Sequence, residues 1–206
     1  MKTTISVTRT GGGYFKKYLP QGGVFSSNKE LGTHFHGRGR SKRYAEMADS
    51  TNIKHWDVAP TKEYFNELAR ISKNQIIWGG NYFNLPPTRC FLIWRKLTIS
   101  ENFSMAMCEY AWTSFNDNAK IFECAPQGNK EKRFHPTQKP IALYHWIISR
   151  YAKDGDKILD THAGSGSCLI AAHDTGHEFM GFELDKYYYD KATERMENHF
   201  AQTSLF

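Results

Sequence analysis

Apolar residues return at helical spacing just after Thr61, where Tyr64, Phe65, Leu68 and Ile71 fall on one face; Pro60 before them suits a helix start. Gln75-Ile76-Ile77-Trp78 is a short buried-strand pattern stopped by Gly79-Gly80, and Cys90-Phe91-Leu92-Ile93-Trp94 is another. Glu109–Thr113 and Lys120–Glu123 read as further short strands at a β-rich end of a sheet. The last third is clearer. Ile141, Tyr144, Ile147, Ile148 and Tyr151 form one face of an amphipathic helix over 140–151, closed by Gly155. Lys157–Asp160 is a buried strand that runs into Ala163-Gly164-Ser165-Gly166-Ser167, followed by a helix from Cys168 to His173 that ends near Gly176. Phe179–Glu183 is a second strand, and 187–200 a final helix with Tyr188, Ala192 and Met196 inward. Residues 1–55, with Gly11-Gly12-Gly13 and Gly22-Gly23, predict loops and little regular structure.

Strand, glycine turn, helix, strand, acid, helix is a βαβ succession. It predicts an α/β class with a doubly wound, mostly parallel sheet carrying helices on both faces. A length of 206 residues predicts one domain over 1–206. Within it lie a loop-rich basic segment at 1–55, a region suited to target contacts at 84–135, and a cofactor region at 136–200. No apolar run approaches a membrane span and no signal-peptide pattern opens the chain, so an intracellular protein without membrane attachment is expected. The four cysteines lack a C-x-x-C pair, which suggests neither a zinc site nor a disulfide framework.

Charge changes the picture only where it clusters. The formal net charge is +6, which permits a polyanionic partner without requiring one. Arg38, Arg40, Lys42 and Arg43 lie in a Gly/Ser-rich stretch, and Lys130, Lys132, Arg133 and His135 in a second polar segment. Arg38, Arg40, Lys42, Arg43, Lys132 and Arg133 are therefore candidate phosphate contacts, of the kind that position a duplex without reading its sequence.

The glycine turn carries the chemistry. A strand's carboxyl end is where open α/β sheets bind ligands, and Gly164 and Gly166 let the backbone approach one closely. Asp160 at the strand tip can accept hydrogen bonds from a ligand ammonium. Glu183, about twenty residues on, stands where an acid grips both ribose hydroxyls. A nucleoside-containing cofactor spanning the two tips is expected. A dinucleotide would want glycine where Leu169 stands; S-adenosyl-L-methionine, cationic and without phosphate, suits an acid there better.

Phe134-His135-Pro136-Thr137-Gln138-Lys139-Pro140, then Asp160-x-x-x-Gly164-x-Gly166-Ser167, then Gly181-Phe182-Glu183-Leu184-Asp185 together resemble the cofactor region of the DNA adenine-N6 and cytosine-N4 methyltransferases, in their β group. The likeness is close over 132–200 and looser over 56–94, where Gln75–Phe83 is similar to phage-type members. The resemblance implies a Rossmann-like methyltransferase fold, S-adenosyl-L-methionine as cofactor, DNA as partner, and the cytoplasm of a bacterial or phage-infected cell. It places Pro136, Thr137, Gln138 and Lys139 against the methionine end. Asp160 and the backbone of Thr161, His162, Ala163, Gly164, Ser165 and Gly166 would be the floor, Glu183 would hold the ribose, and Leu184 would lie beside the adenine. His162 stands where the family usually has an aromatic, and a histidine can still stack.

The family's catalytic motif, (Asp/Asn/Ser)-Pro-Pro-(Tyr/Phe), holds the target amine and stacks on the flipped base. It is not in this chain. Asn84-Leu85-Pro86-Pro87-Thr88 has an extra residue and no aromatic, and reads as a loop before the strand at Cys90. Ile5–Thr8 and the glycine-rich stretch resemble what normally follows the motif, so a central strand and the motif are expected to be absent. Exposed sheet edges would then invite association or instability, which makes a homodimer a candidate. Three functions follow in order: a DNA methyltransferase acting on adenine N6 ahead of cytosine N4; a catalytically inactive or truncated relative that only binds DNA or the cofactor; and a dinucleotide oxidoreductase.

Overall fold

The computed structural model describes residues 59–102, 106–126 and 133–203, together with the backbone of two strands nearer the N-terminus. Those strands are β1 (Thr4–Thr8) and β2 (Gly23–Ser26). Then come α1 (Lys62–Ile71), β3 (Asn74–Trp78), β4 (Phe91–Arg95), β5 (Cys108–Thr113) and β6 (Lys120–Glu123). The last third holds α2 (Ile141–Tyr151), β7 (Lys157–Asp160), α3 (Ser167–Asp174), β8 (Glu178–Glu183) and α4 (Lys186–Thr203).

The eight strands form one sheet in the order β2-β8-β7-β1-β3-β5-β4-β6. The expectation of a doubly wound, mostly parallel sheet is corrected here, because the sheet is mixed. β1 pairs in parallel with β3 and β7, as do β7 with β8 and β4 with β6. β2–β8, β3–β5 and β4–β5 are antiparallel. An apolar run such as Phe91–Trp94 has the same pattern in either orientation, so periodicity cannot tell them apart. The connection decides. β4 and β5 are joined by residues 96–107, in whose described part there is no helix, and a helix is the usual parallel crossover.

A second correction concerns the central strand expected to be absent; within residues 1–55, where loops and little regular structure are expected, the described backbone holds β1 and β2. β1 lies between β7 and β3, in the middle of the sheet, with Ile5 opposite both Ile158 and Asn74. The place of a missing central strand is therefore filled. β1 runs parallel to β7, so the chain leaves Thr8 on the same edge of the sheet as Asp160.

The core follows from the apolar faces. Ile76, Trp78, Leu92 and Trp94 of β3 and β4 are buried, as are Leu143, Tyr144, Ile147 and Ile148 of α2. Residues 167–172 of α3 are all buried, and this helix, apolar on every side, packs against α2 and β8. Trp94 is 1% exposed and its indole N–H donates to the Cys124 carbonyl, so it is a core residue. Pro86 and Pro87 lie in a loop, where the Pro86 carbonyl accepts the Trp112 indole N–H at 2.7 Å. No helix among the described residues is long and apolar enough to cross a membrane.

Candidate cofactor site

β7 ends at Asp160, which is 1% exposed. Its Oδ1 accepts the His162 N–H at 3.1 Å and so starts the turn. The Ala163 N–H donates to the Phe182 carbonyl at 2.8 Å, and the Gly164 N–H to Glu183 Oε2 at 2.8 Å. Glu183 Oε1 also accepts the Asp185 N–H at 2.9 Å. The acid at the tip of β8 thus fastens the turn that follows β7. Asp160, Thr161, His162, Ala163, Gly164, Ser165, Gly166 and Glu183 are brought into one cluster across two adjacent parallel strand tips. Leu184, 38% exposed, follows at its rim.

Both turn glycines use a left-handed backbone, with φ 53° at Gly164 and φ 73° at Gly166. Side chains rarely adopt it, so the turn's closeness depends on glycine. α4 supports the turn from below. Arg195 Nη1 donates to the Ser165 carbonyl at 2.8 Å and to Ser167 Oγ at 2.9 Å, while Met196 lies under Gly166. From α1, the Tyr64 hydroxyl shares a 2.7 Å hydrogen bond with Thr161 Oγ1, which in turn lies 3.1 Å from His162 Nδ1. The Tyr64 and His162 rings meet edge to face at 5.6 Å.

Leu169 has a structural explanation. It is fully buried, and a Cβ on Gly181 would come within 2.5 Å of its Cδ1. The close helix-to-strand approach that the third glycine of a dinucleotide fingerprint permits is made here by a glycine on the strand instead. Leu169 therefore does not itself argue against a dinucleotide. The carboxylate of Asp160 at the base of the turn does, because it would face a phosphate with like charge.

The segment 133–140 crosses the same edge. The His135 ring packs 4.2 Å from Tyr188, at the start of α4. His135 Nδ1 accepts the Thr137 N–H at 3.3 Å, and the Gln138 N–H donates to the His135 carbonyl. Gln138 Oε1 accepts the Phe134 N–H at 3.2 Å. Pro136 and Thr137 are exposed; Gln138 and Lys139 are buried. Arg133 Nη2 donates to the Pro136 and Gln138 carbonyls, shaping its own loop. The other candidate phosphate contacts, Arg38, Arg40, Lys42, Arg43 and Lys132, lie outside the described residues.

Lys139 is turned into the protein. Its ammonium donates to Glu109 Oε2 and lies 5.1 Å above the Trp78 ring. Lys96 binds the other oxygen of Glu109 at 2.9 Å. Burial would push the Glu109 carboxyl up, but the two ammonium groups outweigh it and hold it at about 2. Glu109, Lys96, Tyr64 and Arg195 were not legible as site residues. Each reaches the site from a distant stretch of chain, and no local spacing links a strand glutamate to a lysine thirty residues on.

A family model described as DNA methylase (N6_N4_Mtase) matches residues 24–194. Among curated proteins, the type II methyltransferase M.HpaI of Haemophilus parainfluenzae is 36% identical over 72 residues, covering 35% of this chain and 23% of that protein. M2.DpnII of Streptococcus pneumoniae is 43% identical over 63 residues, 31% of this chain and 24% of that protein. The matched stretches thus span about a quarter of those relatives. Two solved structures share the fold. The M1.HpyAVI–SAM complex has a TM-score of 0.54 at 18% identity, over 95% of this chain and 90% of that one. The cytosine-N4-specific PvuII DNA methyltransferase has 0.53 at 11%, over 98% and 85%. With the family model matching most of its length, the chain belongs to the DNA methylase family of N6 and N4 methyltransferases.

Proposed function

We propose that this chain binds S-adenosyl-L-methionine across the tips of β7 and β8 and transfers its methyl group to an exocyclic amine of DNA, adenine N6. One observation carries the reading: Asp160 and Glu183 stand at adjacent parallel strand tips, joined by a turn whose glycines leave room above the backbone. Two carboxylates and two left-handed glycines fit a cationic nucleoside better than a phosphate.

When bound, the cofactor would supply an electrophilic methyl group. The chain's part is positioning, since methylating an amine needs little acid–base help. Glu183 would accept the ribose hydroxyls while still holding the Gly164 N–H. Asp160 would receive the cationic amino-acid end. Pro136 and Thr137, exposed over the same edge, would border it with Gln138 behind them. Within one domain over 1–206, the basic residues Arg38, Arg40, Lys42, Arg43, Lys132 and Arg133 would contact phosphates. A second copy of the chain is a further candidate partner, checked by sedimentation.

A second reading is favoured by one fact: no (Asp/Asn/Ser)-Pro-Pro-(Tyr/Phe) string follows β1, where the chain emerges beside Asp160. In that reading the chain binds cofactor or DNA without catalysis. Labelled S-adenosyl-L-methionine with mixed-sequence DNA separates the two. Label in N6-methyladenine that is lost in Asp160→Ala supports transfer. Binding of cofactor or of DNA by folded protein without incorporation supports the second reading, and folded protein that binds neither and incorporates nothing refutes the two together.

A further inference from the structure

The Glu109 carboxylate sits between two buried lysines that come from different parts of the chain. Lys96 follows β4, and Lys139 ends the segment His135–Lys139 that borders the site. The side chains of Lys96 and Lys139 are only 9% and 5% exposed. Trp78 and Trp94 lie beneath them, with Lys139 5.1 Å from the first ring and Lys96 5.3 Å from the second. Glu109 stands opposite Trp94 in the β4–β5 register, at the start of β5. β5 runs against β3, so this start lies on the edge where β3 ends. That is also the edge of Asp160, because β3 and β7 both run parallel to β1.

A buried ion cluster is a poor stabiliser compared with apolar packing, because desolvation consumes most of the Coulombic gain. What it does provide is directional registry: a carboxylate with two oxygens and two donors allows one arrangement. The segment 133–140 is held at one end by His135 on Tyr188 and at the other by Lys139 on Glu109. Thr137 and Gln138 lie between these anchors.

We propose that Glu109 is a positioning residue of the cofactor site, fixing through Lys139 the segment that borders the cofactor's amino-acid end. This rests on the reading that S-adenosyl-L-methionine occupies the tips of β7 and β8. Glu109 acts through Lys139 and touches no reacting atom. Its removal should loosen one end of the ligand only. The nucleoside end depends on Glu183 and the glycine turn, which Glu109 does not contact.

The test compares two ligands on the full chain by calorimetry: S-adenosyl-L-methionine, and 5′-methylthioadenosine, which lacks the amino-acid end. Glu109→Gln removes the charge and keeps the shape. It should weaken S-adenosyl-L-methionine about tenfold or more, the scale of a lost charge-assisted hydrogen bond, and leave methylthioadenosine within about twofold. Arg95→Met, which breaks only the exposed pair between β4 and β6 with Glu123 and leaves the Glu109 cluster intact, should leave the ratio of the two affinities near wild type. An unchanged ratio in Glu109→Gln, whether both ligands weaken together or neither does, overturns the positioning role alone. Wild-type chain that binds neither ligand overturns the cofactor reading and this inference with it.

Discussion

Gly181 offers a sharp test of how the site is built. It lies on β8 opposite Asp160 of β7, two residues before Glu183. A methyl group there would sit 2.5 Å from Leu169 Cδ1, 3.1 Å from Cδ2 and 3.3 Å from Cγ. Leu169 is fully buried in α3, so its branches have nowhere to rotate without moving a neighbour. Overpacking of this kind costs about 1–3 kcal/mol, and Gly181→Ala should lower Tm by about 2–4 °C per kcal/mol in a chain of this size. Relief can come only by shifting α3 away from β8 or by tilting β8, and either moves Glu183 relative to Asp160. Affinity for S-adenosyl-L-methionine should therefore fall with stability. A double-mutant cycle with Leu169→Val, which deletes the clashing Cδ atoms, isolates the contact. The coupling should be about 1 kcal/mol or more, with the double variant more stable than additivity predicts. Additive losses, or a Gly181→Ala protein as stable as wild type, would refute the claim that this glycine makes room for Leu169.

The two left-handed glycines Gly166 (φ 73°) and Gly176 (φ 73°) form a matched pair, since a methyl group added at the first would meet Met196 Sδ at 3.1 Å and one added at the second would meet nothing within 4 Å. Each alanine variant should lose about 1 kcal/mol in thermal unfolding, with Gly166→Ala slightly worse because flexible Met196 must give way, and with only Gly166→Ala impairing cofactor binding. Glu109, held at about 2 against an ordinary 4.5, has a depressed pKa. Its contribution is complete above pH 4.5 and is lost as pH falls toward 2, up to on the order of 3 kcal/mol. Urea melts from pH 7 to pH 3 should show a flatter acid limb in Glu109→Gln than in wild type. Arg195→Met removes donors to the Ser165 carbonyl and Ser167 Oγ, and should cost about 1–3 kcal/mol and weaken S-adenosyl-L-methionine in parallel. DNA affinity, if the basic segments contact phosphates, should fall steeply from 50 to 200 mM salt, on the order of tenfold for every two contacts; a flat salt profile refutes those contacts.

The amino-acid sequence by itself determined the units with strong local signals. α2 follows from apolar residues at 141, 144, 147, 148 and 151, and all five are buried. β7, the glycine turn, α3 and β8 follow from two apolar runs separated by residues that only a tight turn needs. Asp160 and Glu183 were marked by their place at the ends of those runs. Tertiary structure decided what local pattern cannot encode. Strand direction was one such feature, because a buried run looks alike in parallel and antiparallel pairing, and the sheet proved mixed. The place of Thr4–Thr8 at the sheet's centre was another, since a short polar-alternating strand amid glycines is stabilised only by the neighbours it meets. Glu109 was the third. An acid in a strand reads as solvated until the fold brings Lys96 and Lys139 to its two oxygens. The buried ammonium groups of Lys96 and Lys139 then make the pairing obligatory, because a charge withdrawn from water must find a partner, and only the folded chain brings Glu109 to both.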